Sequence, residues 1–284
     1  MFLLPKTLAT AALALAVAAP TSQAATDTLA DTTAKPTPLA AGYGKVLYSA
    51  WNGSQYRLTA LGGDALGVAG SSKPFTVDLG KRKDGHVVAV YNRGGRLYMY
   101  DFTTPQERPL GGTAGAVAGS ISGDRLVFAT KDALYARSIT GNAASKKLAS
   151  KVVLSVDARN SRTAFSGSRE WSHEPWLATQ TALSLLTKVP GGGASPDFFD
   201  TLNPTFSGNA IYWLLARQGQ HNVGEIHRYN RALNRDERVV MPIAGVVSGF
   251  AYDRGHAYYS RGTEIHQVTD LKFEQAPRIR MYGD

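Results

Sequence analysis

Cysteine is absent from the 284-residue chain. This absence excludes disulfide bonds, thiol catalysis and thiolate metal sites together. Without disulfides, the folded state must be stabilised by burial of a hydrophobic core, which a chain of this length can supply.

Long apolar segments are also scarce. The main one runs from about Leu8 to Ala19 after a single cation, Lys6, and it is shorter than the roughly 20 residues that span a membrane. Ser22-Gln23-Ala24 then places small residues where a signal peptidase cleaves, so the layout predicts a secretory signal peptide over residues 1–24. We therefore expect a bacterial protein that is secreted or held in the cell envelope after cleavage near Ala24, with no membrane-spanning segment.

Motifs of common enzyme and nucleotide-binding sites are missing as well. There is no Gly-x-Ser-x-Gly nucleophile motif, and the glycine-rich stretches do not open helices, which argues against a phosphate-binding loop. The Ser-x-Asp-x-Gly-x-x-Trp box of sialidase-type enzymes does not occur. We expect no cofactor.

The composition that is present points to one basic domain behind a linker. Residues 25–42 are rich in Ala, Thr and Pro with few apolar side chains, which is typical of a linker. Residues 43–284 suffice for a single domain. The chain has 31 Lys and Arg against 22 Asp and Glu, a formal net charge of +9. A basic exported protein favours an anionic neighbour, such as a polymer of the cell envelope.

A two-strand pattern recurs along the predicted domain. The copy GDRLVFATKDALYARSI at residues 123–139 has a polar turn, an apolar run, a second turn and a run that contains Leu-Tyr. Six copies of the first run begin, at intervals of 41, 39, 37, 48 and 46 residues, at Val46, Val87, Leu126, Thr163, Ile211 and Ala257. Units of about 42 residues with several strands each are typical of propeller blades.

Each unit is predicted to contain four antiparallel strands. A segment rich in small residues precedes the first run and should form the innermost strand, and a more polar segment follows the second run as the outermost strand. We predict an all-β, monomeric β-propeller with six blades. Five or seven blades and a β-sandwich are the alternatives, although a sandwich would not need near-equal intervals. Ring closure would use PTPLAAGY near the N-terminus or APRIRMY at residues 276–282.

One unit carries a family resemblance. NPTFSGNAIYW (203–213) followed by GEIHRYN (224–230) resembles the propeller repeat of TolB-like and WD-repeat-like proteins. The resemblance implies the propeller fold in all six units. The Ser-Pro-Asp-Gly turn of that repeat is not intact in any unit, and residues 25–42 leave no room for the N-terminal α/β domain of TolB. The resemblance therefore implies no partner or role.

The histidines suggest repeated structural residues. His221, Glu225 and His227 together invite a metal-site interpretation, but their spacing matches no zinc motif. The tripeptide Glu-Ile-His recurs at His227 and His266 in consecutive units, which favours structural equivalence. We expect no metal.

Cations recur at the turn between the first and second runs. These turns all lie on one face of a propeller, so their residues gather on one rim. Five of the six turns carry a cation, Asn52 takes this place in the first unit, and the five cations are Arg93, Lys131, Arg169, Arg217 and Arg261. A ring of like charges around a concave mouth attracts anions. The alternative is that lysine and arginine are simply common in exposed turns of a basic protein.

The long loop SGSREWSHEPW at residues 166–176 leaves a second possibility open. Trp171 is predicted to stack on a ligand, together with the cationic rim, whereas Trp176 alternates into the second run and is compatible with the core. His173 and Glu174 would be the catalytic residues of a propeller enzyme, with an inner-strand aspartate as partner. The candidates for that partner, which more often form tight turns, are Asp78, Asp157, Asp200 and Asp253.

The leading hypothesis is a secreted, non-catalytic propeller. It would bind an anionic envelope polymer or a protein partner through the basic rim, with no specific nucleic acid. The competing hypothesis is a lyase or glycoside-active enzyme at residues 166–176. A scaffold without a small-molecule site is the third alternative.

Overall fold

The fold consists of β-strands joined by turns and loops. The computed structural model describes residues 26–140, 144–169, 172–187, 198–218, 222–239 and 242–275. Across these ranges the regular structure is all β. They contain no helix that is long and apolar enough to span a membrane.

Twelve strands lie in the described residues up to Ala149. In chain order they are β1 (Thr26–Asp31), β2 (Leu39–Gly42), β3 (Lys45–Trp51), β4 (Tyr56–Ala60), β5 (Val77–Arg82), β6 (Val87–Arg93), β7 (Arg96–Asp101), β8 (Gln106–Pro109), β9 (Ala118–Gly123), β10 (Arg125–Ala129), β11 (Leu134–Ser138) and β12 (Lys146–Ala149).

Thirteen more strands follow in the described part of the second half. They are β13 (Val153–Arg159), β14 (Arg162–Arg169), β15 (Ser172–Ala178), β16 (Leu183–Leu185), β17 (Phe198–Ser207), β18 (Ala210–Gln218), β19 (Val223–Asn230), β20 (Arg235–Val239), β21 (Ile243–Ala244), β22 (Val247–Asp253), β23 (His256–Arg261), β24 (Glu264–Val268) and β25 (Phe273–Gln275).

Antiparallel pairing divides these strands into six successive groups within the described ranges. The groups are β2–β4, β5–β8, β9–β12, β13–β16, β17–β20 and β22–β24. Their first strands, β2, β5, β9, β13, β17 and β22, contact one another in this order, and β22 in turn contacts β2. The first strands therefore form a closed ring. The predicted first and second runs are the second and third strands of each group.

The hydrophobic core lies between neighbouring groups. Each of the six interfaces around the ring holds its own buried cluster. Tyr91 and Leu47 belong to the cluster between the first two groups, for example, and Phe250 and Leu214 to that between the last two. Because both faces of each sheet are covered, the second strands read as apolar runs rather than as strict alternations.

Each group also carries one pair of rings that face each other across its second and third strands. The centroids lie 4.9 to 6.5 Å apart in the pairs Trp51–Tyr56, Tyr91–Tyr98, Phe128–Tyr135, Phe165–Trp176, Trp213–His227 and Tyr259–His266. All six pairs are directly opposed in the strand register. Cross-strand ring pairs stabilise a sheet beyond the area that they bury. They also place Trp176 within its sheet.

The segment predicted as a linker instead contributes two strands. β1 pairs with β24 and becomes the outermost strand of the last group, and β2 is the innermost strand of the first group. The sequence of β1 alternates and contains threonine, which favours a strand. Because β1 pairs with the free edge of β24, it does not need a large apolar surface of its own. Closure by the N-terminus is one of the two predicted routes. Residues 276–282, the other route, lie outside the described residues.

The strand directions define two faces. The short-turn face carries the connections between the first and second strands of each group, and the loop face carries those between the second and third. Turns of the short-turn face contain non-glycine residues with positive φ, namely Tyr43 at 55°, Asn160 at 54° and Arg254 at 49°. The predicted cationic rim belongs to the loop face.

Candidate functional site

The loop face presents part of the predicted cationic rim to solvent. Lys131 and Arg217 are exposed. Arg261 is partly buried, and its guanidinium donates to the Ala244 carbonyl at 3.3 Å. Arg169 ends β14, and its side chain and the whole of Trp171 lie outside the described residues.

Arg93 forms an ion pair within its own group of strands. Its guanidinium donates to both carboxylate oxygens of Glu107 at 2.6 and 3.0 Å, and it lies 4.0 Å above the Tyr98 ring. Tyr91 donates to the same carboxylate. The exposed cation of this turn is Arg96, which pairs with Arg93 across β6 and β7. The predicted rim does not include Arg96, because Arg96 follows the turn and opens the second run.

In the first group, Asn52 shapes the turn. Its side-chain oxygen accepts hydrogen bonds from the backbone N–H groups of Ser54 and Gln55 at 3.1 and 3.0 Å. Asparagine stabilises a tight turn in this way, which explains why this turn does not follow the charge pattern.

Exposed apolar side chains accompany the cations on the loop face. They lie where inner strands begin, and they are Val117, Val152, Leu154 and Val246, with 37 to 52% of their surface exposed. Lys151 lies beside Val152, and its ammonium group is 4.0 Å from the Trp176 ring. Such apolar surface next to cations is typical of a macromolecular interface.

The predicted catalytic residues lie at the edge of this face. His173 Nδ1 and Asp200 Oδ1 are 2.8 Å apart, across the single parallel bridge between β15 and β17. Glu174 is buried, with 1% of its surface exposed. The structure thus brings His173 to one of the four predicted aspartates, while the other three lie together elsewhere.

Asp78, Asp157 and Asp253 converge on the short-turn face. The ends of five inner strands surround a funnel of about 280 Å³ there. Its titratable and charged lining residues are Tyr43, Asp78, Asp157, Arg159, Tyr252, Asp253 and Arg254.

Asn203 closes the channel below the funnel. It lies in an irregular part of β17 with φ of 40°. Its Nδ2 donates to the carbonyls of Leu39 at 2.6 Å and Phe250 at 2.8 Å, and so ties the fifth group to the first and sixth. A pocket of about 10 Å³, the size of one water, lies beneath, and Asn203 and Asp78 are among the residues that line it.

Two of the funnel carboxyls also tie neighbouring groups together. Asp157 Oδ2 accepts a hydrogen bond from the Phe206 N–H at 2.6 Å, and Asp253 Oδ2 accepts one from the Gly44 N–H at 3.0 Å. Hydrogen bonding from the Ser120 side chain and the Leu79 backbone also acts on Asp78 and lowers its pKa, but its buried Oδ2 atom has no hydrogen-bond partner among the described residues.

Burial shifts the titration of the funnel carboxyls. It raises the pKa of Asp78 well above its ordinary value of 3.8, and the charge of Asp157 adds to this rise. Burial also raises the pKa of Asp157 to about 7, although the Phe206 N–H and the Arg159 charge act in the opposite direction. The pKa of Tyr43 is raised as well, first by burial and then by Asp157 and Asp78. Perturbed groups that converge in a cavity are typical of a functional site.

The sequence identified the three aspartates of the funnel but not Tyr43, Arg159 and Arg254. The only available signal was that Tyr43-Gly44 and Arg254-Gly255 precede apolar runs as turn-forming pairs. A tyrosine or arginine with positive φ is strained, and this strain is visible only in the structure. No group of three or more His, Asp and Glu suited to a metal ion occurs among the described residues.

Comparison with known proteins identifies the fold. No protein-family model matches the chain, and no curated protein does. A protein of unknown function from Bacteroides thetaiotaomicron is 13% identical with a TM-score of 0.57, over 88% of this chain and 72% of that one. Virginiamycin B lyase from Staphylococcus aureus is 13% identical with a TM-score of 0.55, over 88% of this chain and 99% of that one.

A third similar structure is that of the WD40 repeats of RRP9. It is 8% identical with a TM-score of 0.51, and the match covers 86% of this chain and 99% of that one. Similarity at such low identity establishes the fold alone. The β-propeller prediction is confirmed.

Proposed function

We propose that this is a secreted binding propeller whose loop face holds an acidic segment of a protein partner. The observation that supports the proposal most directly is the combination of exposed cations and exposed apolar side chains on one face. Lys131 and Arg217 supply charge, and Val152 and Val246 supply apolar surface, with 45 and 52% exposed. An acidic polypeptide with apolar side chains complements both, whereas a purely anionic polymer would leave the valines unmatched.

The experiment measures binding of a labelled glutamate–tyrosine copolymer by fluorescence anisotropy, with polyglutamate as the apolar-free match. We expect the copolymer to bind more tightly and added salt to weaken binding, because exposed charges are screened within about 10 Å at 0.1 M salt. The double variant Lys131→Glu/Arg217→Glu should bind roughly tenfold more weakly, a loss of about 1.4 kcal/mol.

The matched control changes the same net charge away from the loop face. Lys81 and Lys147 are both exposed, at the end of β5 and on the outermost strand β12. Lys81→Glu/Lys147→Glu should therefore retain most of the binding. Equal losses in the two double variants would mean that net charge alone drives binding, and would refute a site on the loop face.

A propeller enzyme is the second candidate. It is supported by the contact between His173 and Asp200 at 2.8 Å, because a carboxylate commonly orients the imidazole of a general acid or base. In that case a polysaccharide or similar substrate would lie against His173, whereas Glu174 is too buried to touch it.

A further inference from the structure

The funnel on the short-turn face is separate from the proposed partner site. It opens on the opposite side of the ring, and below it Asn203 bonds to the carbonyls of Leu39 and Phe250 on two other inner strands. A cavity of about 280 Å³ with converging polar groups suits a small molecule.

The inner wall of the funnel is rich in hydrogen-bond acceptors. Asp78 and Asp157 lie close enough for the charge of one to act on the other. The Phe206 N–H satisfies one oxygen of Asp157, but Oδ2 of Asp78 is buried without a partner. An unsatisfied buried acceptor is unfavourable by about 1–3 kcal/mol, so a donor supplied by a ligand would be favoured there.

The two arginines of the funnel lie at its opening, and each already contacts a neighbouring oxygen atom. Arg159 is exposed and its Nη1 donates to the Gly208 carbonyl at 3.4 Å. Arg254 Nε lies 3.8 Å from Asp253, with 69% of the arginine side chain exposed. The charge of Arg159 acts on Asp157 from a distance, but within the described residues neither guanidinium forms an ion pair with Asp78 or Asp157.

We propose that the funnel binds a small primary amine, whose ammonium group is held by Asp78 and Asp157. An ammonium group offers three N–H donors and one positive charge. It can therefore satisfy the free acceptor of Asp78 and reduce the repulsion between the two carboxylates. A hydroxyl group offers one donor and no charge, and an anion would add to the repulsion.

Binding is expected to depend on pH, because the amine requires ionised carboxylates. An alkylammonium group stays charged to about pH 10, as lysine does. The groups that face the pair are Tyr43, Arg159, Tyr252, Asp253 and Arg254. Of these, arginine and tyrosine side chains ordinarily keep their charge state between about pH 5 and pH 8, and Asp253 accepts the Gly44 N–H at 3.0 Å. Loss of the pH dependence in variants of Asp78 and Asp157 would assign it to these two residues.

The test is calorimetric titration of the full mature chain with butylammonium, with 1-butanol and butyrate as probes of the same size. We expect saturable binding of butylammonium alone, with an affinity that falls at least about tenfold from pH 8 to pH 5. Asp157→Asn and Asp78→Asn should each weaken binding by roughly tenfold and reduce this pH dependence. Asp64→Asn, an exposed change outside the funnel, should leave binding unchanged.

Circular dichroism and thermal unfolding of each variant show whether it is folded. Asparagine preserves the acceptor that the Phe206 N–H requires, so a folded Asp157→Asn variant with weakened binding supports the site. The proposal is refuted if butylammonium does not bind, if 1-butanol binds as well, or if both aspartate variants bind like the parent protein. These results leave the loop-face experiment unaffected, because its variants lie outside the funnel.

Discussion

Asp157 shows how one side chain serves both the fold and a cavity. It bonds the backbone of the next inner strand at 2.6 Å, yet burial holds its pKa at about 7. Because burial favours the protonated form of this carboxyl, its ionisation at higher pH destabilises the folded state. The fold tolerates this arrangement, which is characteristic of functional positions.

The expected consequence is a pH-dependent benefit of Asp157→Asn. A carboxyl whose folded pKa lies above its unfolded value of 3.8 loses stability as pH rises between the two values, here from about 4 to about 7. The asparagine variant escapes this loss. It should therefore melt at a higher temperature than the parent protein at pH 8 and at nearly the same temperature at pH 4.

Thermal unfolding by circular dichroism across this pH range measures the difference. Asp64→Asn is the matched control, since Asp64 is exposed. A variant that is less stable than the parent at pH 8 would show that the ionised form of Asp157 stabilises the fold, contrary to the account given for the funnel.

Asp157 and Asp253 lie near the ends of inner strands, as the repeat predicts, whereas Asp78 is the second residue of β5 and so lies near its beginning. That they meet in one funnel could not be predicted. Their convergence depends on how the inner strands of three different groups are placed around the ring, and this placement leaves no pattern in a single sequence. The ion pair between Arg93 and Glu107 could not be predicted from the sequence either, because it depends on the side-chain geometry of two strands, β6 and β8.

At the scale of elements, the third strands of the last two groups form a natural comparison. β19 and β24 each carry Glu-x-His, and each histidine packs on an opposed ring, Trp213 or Tyr259. The two histidines therefore occupy equivalent positions in their groups, as the repeat predicts. The neighbouring outer strands differ, however. β20 brings Asp236 to 3.1 Å from the His227 ring, whereas β1 brings the Thr28 hydroxyl to 3.3 Å from His266.

This difference reverses the titration of the two histidines. Burial opposes the charge of His227, but Asp236 and Glu225 outweigh burial and raise its pKa to about 9. Burial, followed by the charge of Arg261, lowers the pKa of His266 below 6.5. The pKa of the histidine in the Glu-x-His motif is therefore shifted in opposite directions in the two groups, because the neighbouring outer strand comes from different parts of the chain.

Stability measurements should show opposite pH trends for the two histidines. His227 stabilises the fold fully below its unfolded pKa of 6.5, and this contribution, on the order of 3 kcal/mol, is lost as pH rises towards 9. His227→Gln should therefore lower the melting temperature at pH 6 and do so less at pH 9. The stabilisation by His266 is instead lost as pH falls below 6.5. Parallel profiles for His227→Gln and His266→Gln would contradict this assignment.

Elements were predicted best where their spacing was regular. The six first runs, the second runs and several inner strands lie where the intervals placed them. The exception is β1, which the composition predicts as part of a linker. Composition alone cannot show that a polar, threonine-containing segment will pair with the free edge of another strand. Its pairing partner β24 lies more than 230 residues away in the sequence.

At the scale of the whole molecule, the six first strands form a closed ring. The first strands contact one another in a closed sequence, and β1 from the start of the described chain completes the group formed by β22 to β24. The funnel and the loop face both depend on this closure, since each is built from residues of several groups.

The most direct measurement uses the lack of cysteine in the natural chain. Asp27 of β1 lies opposite Gln267 of β24, and opposed strand residues are within the range of Cα distances that a disulfide spans. In the variant Asp27→Cys/Gln267→Cys we predict an intramolecular disulfide under mild oxidation. It should be visible as faster migration in non-reducing electrophoresis and should raise the melting temperature.

The control is Asp27→Cys/Gln106→Cys, in which the second cysteine lies on β8 of another group. We predict that only the first pair forms an intramolecular bond. If the two pairs cross-link equally, or if Asp27→Cys/Gln267→Cys links only separate molecules, the N-terminal strand does not close the ring.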